Sequence, residues 1–203
     1  MPYSQLPRPI ADAHLHFFSY NYFRLLTAER GEDSGEAAIQ QTVNTLGWEM
    51  PDKSPVLFAE RWLLEMERHH VGQAAIMASV PGDEDSVAEA MAAFRARLFG
   101  YFFVNPLIDD APAVVRRNLN RGMKGICLLP AMHRYWMREP RVDMVVKLAA
   151  EVPGTIVFVH CGLLAVGVRG KLGLPSNFDM SFSNPIELHA LSLLFPTANS
   201  DWP

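Results

Sequence analysis

A chain of 203 residues, 49% apolar and 20% charged, is long enough to bury one substantial core and reads as a single globular domain. Its net charge of −4 comes from interspersed residues with no basic block, which argues against nucleic acid as a partner. Two cysteines, Cys127 and Cys161, make no disulfide framework, no apolar run approaches a membrane span, and Met1 to Arg8 lack a charged-then-apolar leader, so the expectation is a cytoplasmic protein with no membrane partner.

Pro9 to Phe17 reads as a short strand, with Ile10, Ala11, Ala13 and Leu15 set among Asp12, His14 and His16. Side chains alternate on a strand, so His14 and His16 share a face with Asp12 behind them. Two imidazoles on one rigid face, where a strand runs into a loop, can hold one divalent metal; a chance His-x-His is the alternative. Phe18 to Lys53 has no steady periodicity and reads as an insertion over the strand's end, with room for a short helix. Its opening aromatics, Phe17, Phe18, Tyr20, Tyr22 and Phe23, either line a pocket or pack the insertion onto the body.

Ser54 and Pro55 open a helix as N-cap and first residue, with Phe58, Trp62, Leu63, Met66 and Val71 as its apolar stripe. His69 and His70 near its C-terminal end suit the helix dipole and read as surface residues. Gln73 to Val80 is a buried-strand run, broken by Pro81-Gly82-Asp83, and a helix then runs through Val87, Met91, Phe94 and Leu98. Gly100 to Val104 is the third strand, Asp109 to Asn120 a helix and Met123 to Leu129 the fourth strand. A loop carrying His133, Arg134, Tyr135, Trp136 and Arg138 leads to a helix from Val142 to Glu151, and Thr155 to His160 is the fifth strand.

This β-α alternation argues for a parallel sheet covered by helices, either doubly wound or a (β/α)8 TIM-type barrel. No Gly-rich phosphate loop follows the first strand, and the barrel is the reading adopted. All strand C-termini then open onto one face, so His160, ending strand five, meets His14 and His16 across the mouth.

Asp12-x-His14-x-His16, Gly125-Ile126-x-Leu128 with Pro130, and Val157-Phe158-Val159-His160-Cys161-Gly162 together resemble the amidohydrolase superfamily. Within it they are most similar to the amidohydrolase-related (amidohydrolase 2) branch, which holds the aminocarboxymuconate-semialdehyde decarboxylase-like enzymes; Asn184 to His189 resembles that branch too. The resemblance implies a (β/α)8 barrel with one divalent metal, commonly zinc, held by His14, His16 and His160. It also implies a histidine on strand six and an aspartate on strand eight. Neither is expected here, since the chain reaches Asp201-Trp202-Pro203 where strand six should begin, leaving about the first five β/α units. Some relatives bridge two metals with a carboxylated lysine at the end of strand four. The residues there are Leu128 and Leu129, with Lys124 at the opposite end, so a binuclear site is disfavoured.

The implied chemistry is metal-assisted hydrolysis of a C–N or C–O bond, or decarboxylation, of a small carboxylic acid, with the shortened chain itself inactive as an open outcome. No catalytic acid or base is assigned; Asp12 is a candidate for orienting a first-strand imidazole. Arg134, Trp136 and Arg138 are candidates for receiving an acidic substrate, with Asn105 at the mouth and Arg169 and Lys171 as weaker choices. Cys161 reads as a buried thiol and His189 as peripheral. The alternatives are a non-catalytic half-barrel remnant and a small α/β binding domain acting through association with another chain, a second copy included.

Overall fold

The computed structural model describes residues 10–31, 35–161, 167–175 and 178–195. Among them, five strands, β1 (Ile10–His16), β2 (Val71–Ala78), β3 (Leu98–Val104), β4 (Gly125–Leu128) and β5 (Ile156–Val159), pair in parallel in simple chain order. The return to each next strand is made by a helix: α3 (Pro55–Arg68), α4 (Glu84–Ala93), α5 (Ala111–Asn120) and α7 (Pro140–Ala150) in turn. Ser54 caps α3 as expected, its side chain accepting from the Leu57 N–H, with Pro55 in the first turn.

Alternation along the strands sorts the apolar residues into two layers. Ile76, Phe102, Val104, Ile126 and Leu128 pack outward with Val115, Val142 and Val145 of the helices. Ala75, Met77, Tyr101, Phe103, Cys127 and Leu129 form a second cluster on the other face, joined by Ile156 and Phe158. That inner face is concave. In a flat sheet, four strand spacings would separate β1 from β5 by about 19 Å. Instead, the rings of His14 on β1 and Phe158 on β5 lie 4.8 Å apart between centroids. A parallel sheet curled this tightly, with its helices outside, is a partial (β/α)8 barrel.

The element boundaries differ from expectation at several places, Val71 among them, which begins β2 and is not on the stripe of α3. Leu98 begins β3 instead of continuing α4, which ends at Ala93 with Phe94 as C-cap. Leu98 is an outward-facing strand residue in the helix-side core, so its spacing of four from Phe94 mimics helical periodicity. The loop after β4 contains a short helix, α6 (Pro130–His133), started by Pro130.

The insertion holds two helices, α1 (Tyr20–Glu29) and α2 (Glu36–Leu46). Ser19 caps α1, and Gly47, at φ 73°, ends α2 in the left-handed conformation that glycine adopts without strain. Phe23, Leu26, Ile39, Val43 and Leu46 form a small core of their own, closed by Leu172 and Leu174 just after a short helix, α8 (Gly167–Lys171). A 3-10 turn at Met180–Phe182 and the helix α9 (Ile186–Leu194) complete the described chain. None of the described helices is long and apolar enough to cross a membrane.

Candidate metal centre

The C-terminal ends of β1 and β5 place the histidines. Between Asp12 and Leu15 the β1–β2 register slips, and the carboxylate of Asp12 accepts the His14 backbone N–H at 2.9 Å within that irregularity. His16 returns to register opposite Met77. The two Nε2 atoms converge to 3.1 Å, with the rings edge to face at 76°. On β5, the His160 N–H donates to the Leu128 carbonyl at 2.9 Å. The parallel ladder therefore runs one residue past the strand, and His160 follows Phe158 onto the inner face.

All three histidines line one cavity of about 370 Å³, together with Phe18, Tyr22, Trp48, Met77, Ser79, Phe103, Cys127, Leu129, Met132, Phe158, Gly167 and Val168. Its described lining carries no Asp, Glu, Lys or Arg. The insertion supplies one wall: Phe18 stacks on His16 at 5.3 Å and 7°, and Trp48 stacks on Phe18 at 5.0 Å. The aromatics of the insertion thus divide. Phe18 and Tyr22 line the cavity, Tyr22 as a buried member of the insertion's core, whereas Phe17 and Phe23 are core residues outside it.

Burial sets the charge state of the pair. His16 is pushed down to about 4, first by desolvation and then by the positive charge that His14 and His160 would carry. His14 is also held below the ordinary imidazole value by burial, with Asp12 opposing and His160 reinforcing that shift. Near neutral pH both rings are uncharged, the form that ligates metal. Two imidazoles bound tetrahedrally through Nε2 to an ion at about 2.05 Å stand about 3.3 Å apart, and the 3.1 Å observed fits such a donor pair. Among the described residues no group of three His, Cys, Asp or Glu side chains is drawn together at the distances of a filled site, and the third imidazole joins this pair as a neighbour in the same cavity.

The other residues singled out in the sequence lie elsewhere. Asp12 binds a backbone N–H and not an imidazole ring. Asn105 accepts from the Leu107 N–H, holding the turn after β3. Arg134, at φ 59°, ends α6 and pairs with Asp179 at 3.4 Å. Trp136 is 43% exposed and packs on Phe182, and Arg138 borders a separate cleft with Leu191 and Leu194 of α9. None of Asn105, Arg134, Trp136 or Arg138 lines the histidine cavity; for the last three, α6 turns the chain as soon as β4 ends.

Arg169 is occupied by Glu29 through two contacts at 2.5 and 3.0 Å, beside an adjoining cavity that also includes His133. Cys161 is half-buried, its thiol raised by desolvation, and His189 is exposed on α9. Lys124 is exposed at the start of β4, away from Cys127 and Leu129 in the cavity. Asp201 and the strand-six expectation fall outside the described residues. Trp48 and Ser79 are pocket residues that pattern reading passed over. Ser79 had a signal, as the one hydroxyl closing the apolar run of β2 at the sheet's C-terminal end.

No family model matches the sequence, and no curated protein matches it. Solved structures do. A 5-carboxyvanillate decarboxylase from Novosphingobium aromaticivorans, with bound manganese and 3-methoxy-4-hydroxy-5-nitrobenzoic acid, superposes with a TM-score of 0.58 over 92% of this chain and 63% of its own, at 15% identity. The fold is shared. A probable 2-pyrone-4,6-dicarboxylic acid hydrolase from Acinetobacter baumannii, with citric acid bound, gives 0.49 at 13% identity over 75% of this chain and 49% of its own. A Staphylococcus aureus protein described provisionally as an amidohydrolase gives 0.44 at 14%, over 92% and 64%. The described chain therefore spans about two thirds or less of each neighbour. The fold shared with the decarboxylase agrees with the barrel that the motif resemblance implies, and at 15% identity the likeness carries the fold alone.

Proposed function

We propose that His14, His16 and His160 hold one divalent ion, and that this chain carries the metal-binding part of a hydrolase- or decarboxylase-type site for a small carboxylic acid. The observation that carries the reading is the 3.1 Å approach of two neutral Nε2 atoms in a cavity shared with a third imidazole. Three nitrogen donors with further positions open are the donor set of a catalytic zinc, and the manganese of the decarboxylase neighbour makes that ion the second to try. Such an ion, when bound, supplies Lewis-acid chemistry, acidifying a water and polarising a carbonyl or carboxylate.

The chain's own residues do the rest that can be assigned. Phe18, Trp48 and Phe158 make the walls apolar, which lowers the local polarity around the imidazoles. With no cationic side chain in the described lining, a substrate carboxylate has the ion itself as its positive partner. The cavity of about 370 Å³ is of small-molecule size.

Metal analysis of the purified protein tests the reading. One equivalent of zinc or manganese is expected, lost in His14→Ala and in His160→Ala. A protein that takes up neither ion when supplied with it refutes the proposal. Stoichiometric metal retained by His160→Ala removes the third ligand from it.

A further inference from the structure

The hydroxyl of Ser79, at the end of β2, stands 2.7 Å from Nδ1 of His16 and 3.2 Å from the carbonyl oxygen of Met77, an acceptor within its reach. A serine hydroxyl has one proton. With that proton directed at Met77, the oxygen meets His16 as an acceptor, so the shared hydrogen belongs to Nδ1 of the ring. An imidazole protonated on Nδ1 presents a bare lone pair on Nε2, the atom that faces His14.

The acceptor chain is anchored in the sheet itself. Met77 is the register partner of His16, and its carbonyl also takes the Phe17 N–H at 3.1 Å. Phe18, stacked on His16 at 7°, fixes the plane of the ring. His14 has no equivalent: its Nδ1 is buried without a hydrogen-bond partner among the described residues.

We propose that Ser79 is the positioning residue of the centre, selecting the Nδ1–H tautomer of His16 and aiming its Nε2 at the shared ion. The consequence for the ion rests on the metal-site reading above; the tautomer does not. A hydrogen bond to the far nitrogen of a ligating histidine fixes the ring and raises its basicity, and its loss characteristically costs 10–100-fold in metal affinity.

The test compares wild type, Ser79→Ala and Ser79→Thr. Long-range 1H–15N correlation spectra of the metal-free protein near pH 7 report the His16 tautomer, and competition with a chromophoric chelator reports Zn2+ affinity. The expected result is Nδ1–H in wild type and in Ser79→Thr, a loss of that preference in Ser79→Ala, and Zn2+ affinity lower by about 10-fold or more in Ser79→Ala alone. An Nε2–H His16 in wild type overturns the proposal, as does equal Zn2+ affinity of wild type and Ser79→Ala. A wild-type protein that binds no Zn2+ sinks the metal reading instead, and the tautomer spectra then decide the role of Ser79 by themselves.

Discussion

Ser19 and Asp83 are 64 residues apart in the chain and joined by a 2.7 Å hydrogen bond in the interior, the hydroxyl donating to the carboxylate. The same Asp83 oxygen accepts from Ser86 at 2.6 Å and from the Asn21 amide at 3.0 Å. Asp83 precedes α4 yet makes no side-chain cap there. It is a clasp that ties the start of α1, and so the aromatic wall of the cavity, to the turn after β2. Burial raises its carboxyl above the ordinary value, against the opposing effect of the three hydrogen bonds. Asp83→Ala strands three donors and is expected to cost about 2–4 kcal/mol. Asp83→Asn keeps the accepting oxygen that the three donors share, though its amide N–H groups fall where the second oxygen of Asp83 is buried without a partner, so it should cost less than Asp83→Ala. Urea denaturation at pH 7 measures both, and equal losses in the two variants would contradict the clasp.

Much of this was legible in the sequence because strands and helices advertise themselves by period. The five strands, the returning helices and the capped start of α3 follow from apolar spacing and from Ser54-Pro55. The His14, His16 and His160 convergence follows from one topological rule, that parallel strands open at one end. What pattern could not supply was the direction of the chain between elements. Arg134, Trp136 and Arg138 belong to the right loop by sequence, yet the turn made by α6 carries them past the cavity. Trp48 and Ser79 were passed over for the opposite reason: each is one residue whose role depends on a neighbour distant in the chain, Phe18 for one and His16 for the other. Asp83 looked like part of a strand break, since nothing local reveals that Ser19 and Asn21 come back to meet it.

Phe158 tests the curl of the sheet. Its ring packs on His14 across the interior although the two strands are at opposite ends of the sheet order. Phe158→Ala leaves a void in a half-buried position and is expected to cost about 1–3 kcal/mol, less than a fully buried Phe. Amide exchange should quicken at His14 and Leu15 while β3, in the middle of the sheet, keeps its protection. Unchanged exchange in β1 would contradict the packing of the first strand on the fifth.

His133 gives stability a pH dependence of known sign. On α6, its Nδ1 is buried without a hydrogen-bond partner among the described residues, and desolvation pushes the ring down to about 4. The unfolded chain takes up its proton near the ordinary value of about 6.5, so between these limits the unfolded state binds more protons than the native one. The stabilisation is therefore complete above about 6.5, declines as pH falls toward about 4, and is level below that, a change of about 3 kcal/mol in all. His16 contributes in the same direction. Denaturation midpoints at pH 7, 6, 5 and 4 for wild type and His133→Gln isolate the effect as the difference between the two curves. Parallel curves would mean that His133 is protonated in the folded protein as readily as in the unfolded one.

Gly125 is fixed by a neighbour and not by a turn. It pairs with Tyr101 in the β3–β4 register, and a Cβ built on it would lie 2.7 Å from Cδ1 of that ring. Tyr101 is a buried member of the inner layer and has no slack in which to withdraw. Gly125→Ala is therefore expected to destabilise by about 1–3 kcal/mol through overpacking. The cause can be separated from a general effect on strand β4 by a double-mutant cycle. Tyr101→Leu removes the obstructing ring edge at the cost of a smaller void, and Gly125→Ala introduced into that background should cost less than in wild type, giving a coupling of about 1 kcal/mol or more. Strict additivity would show that the ring is not what excludes a side chain at position 125, and that the glycine of the fourth-strand motif is there for another reason.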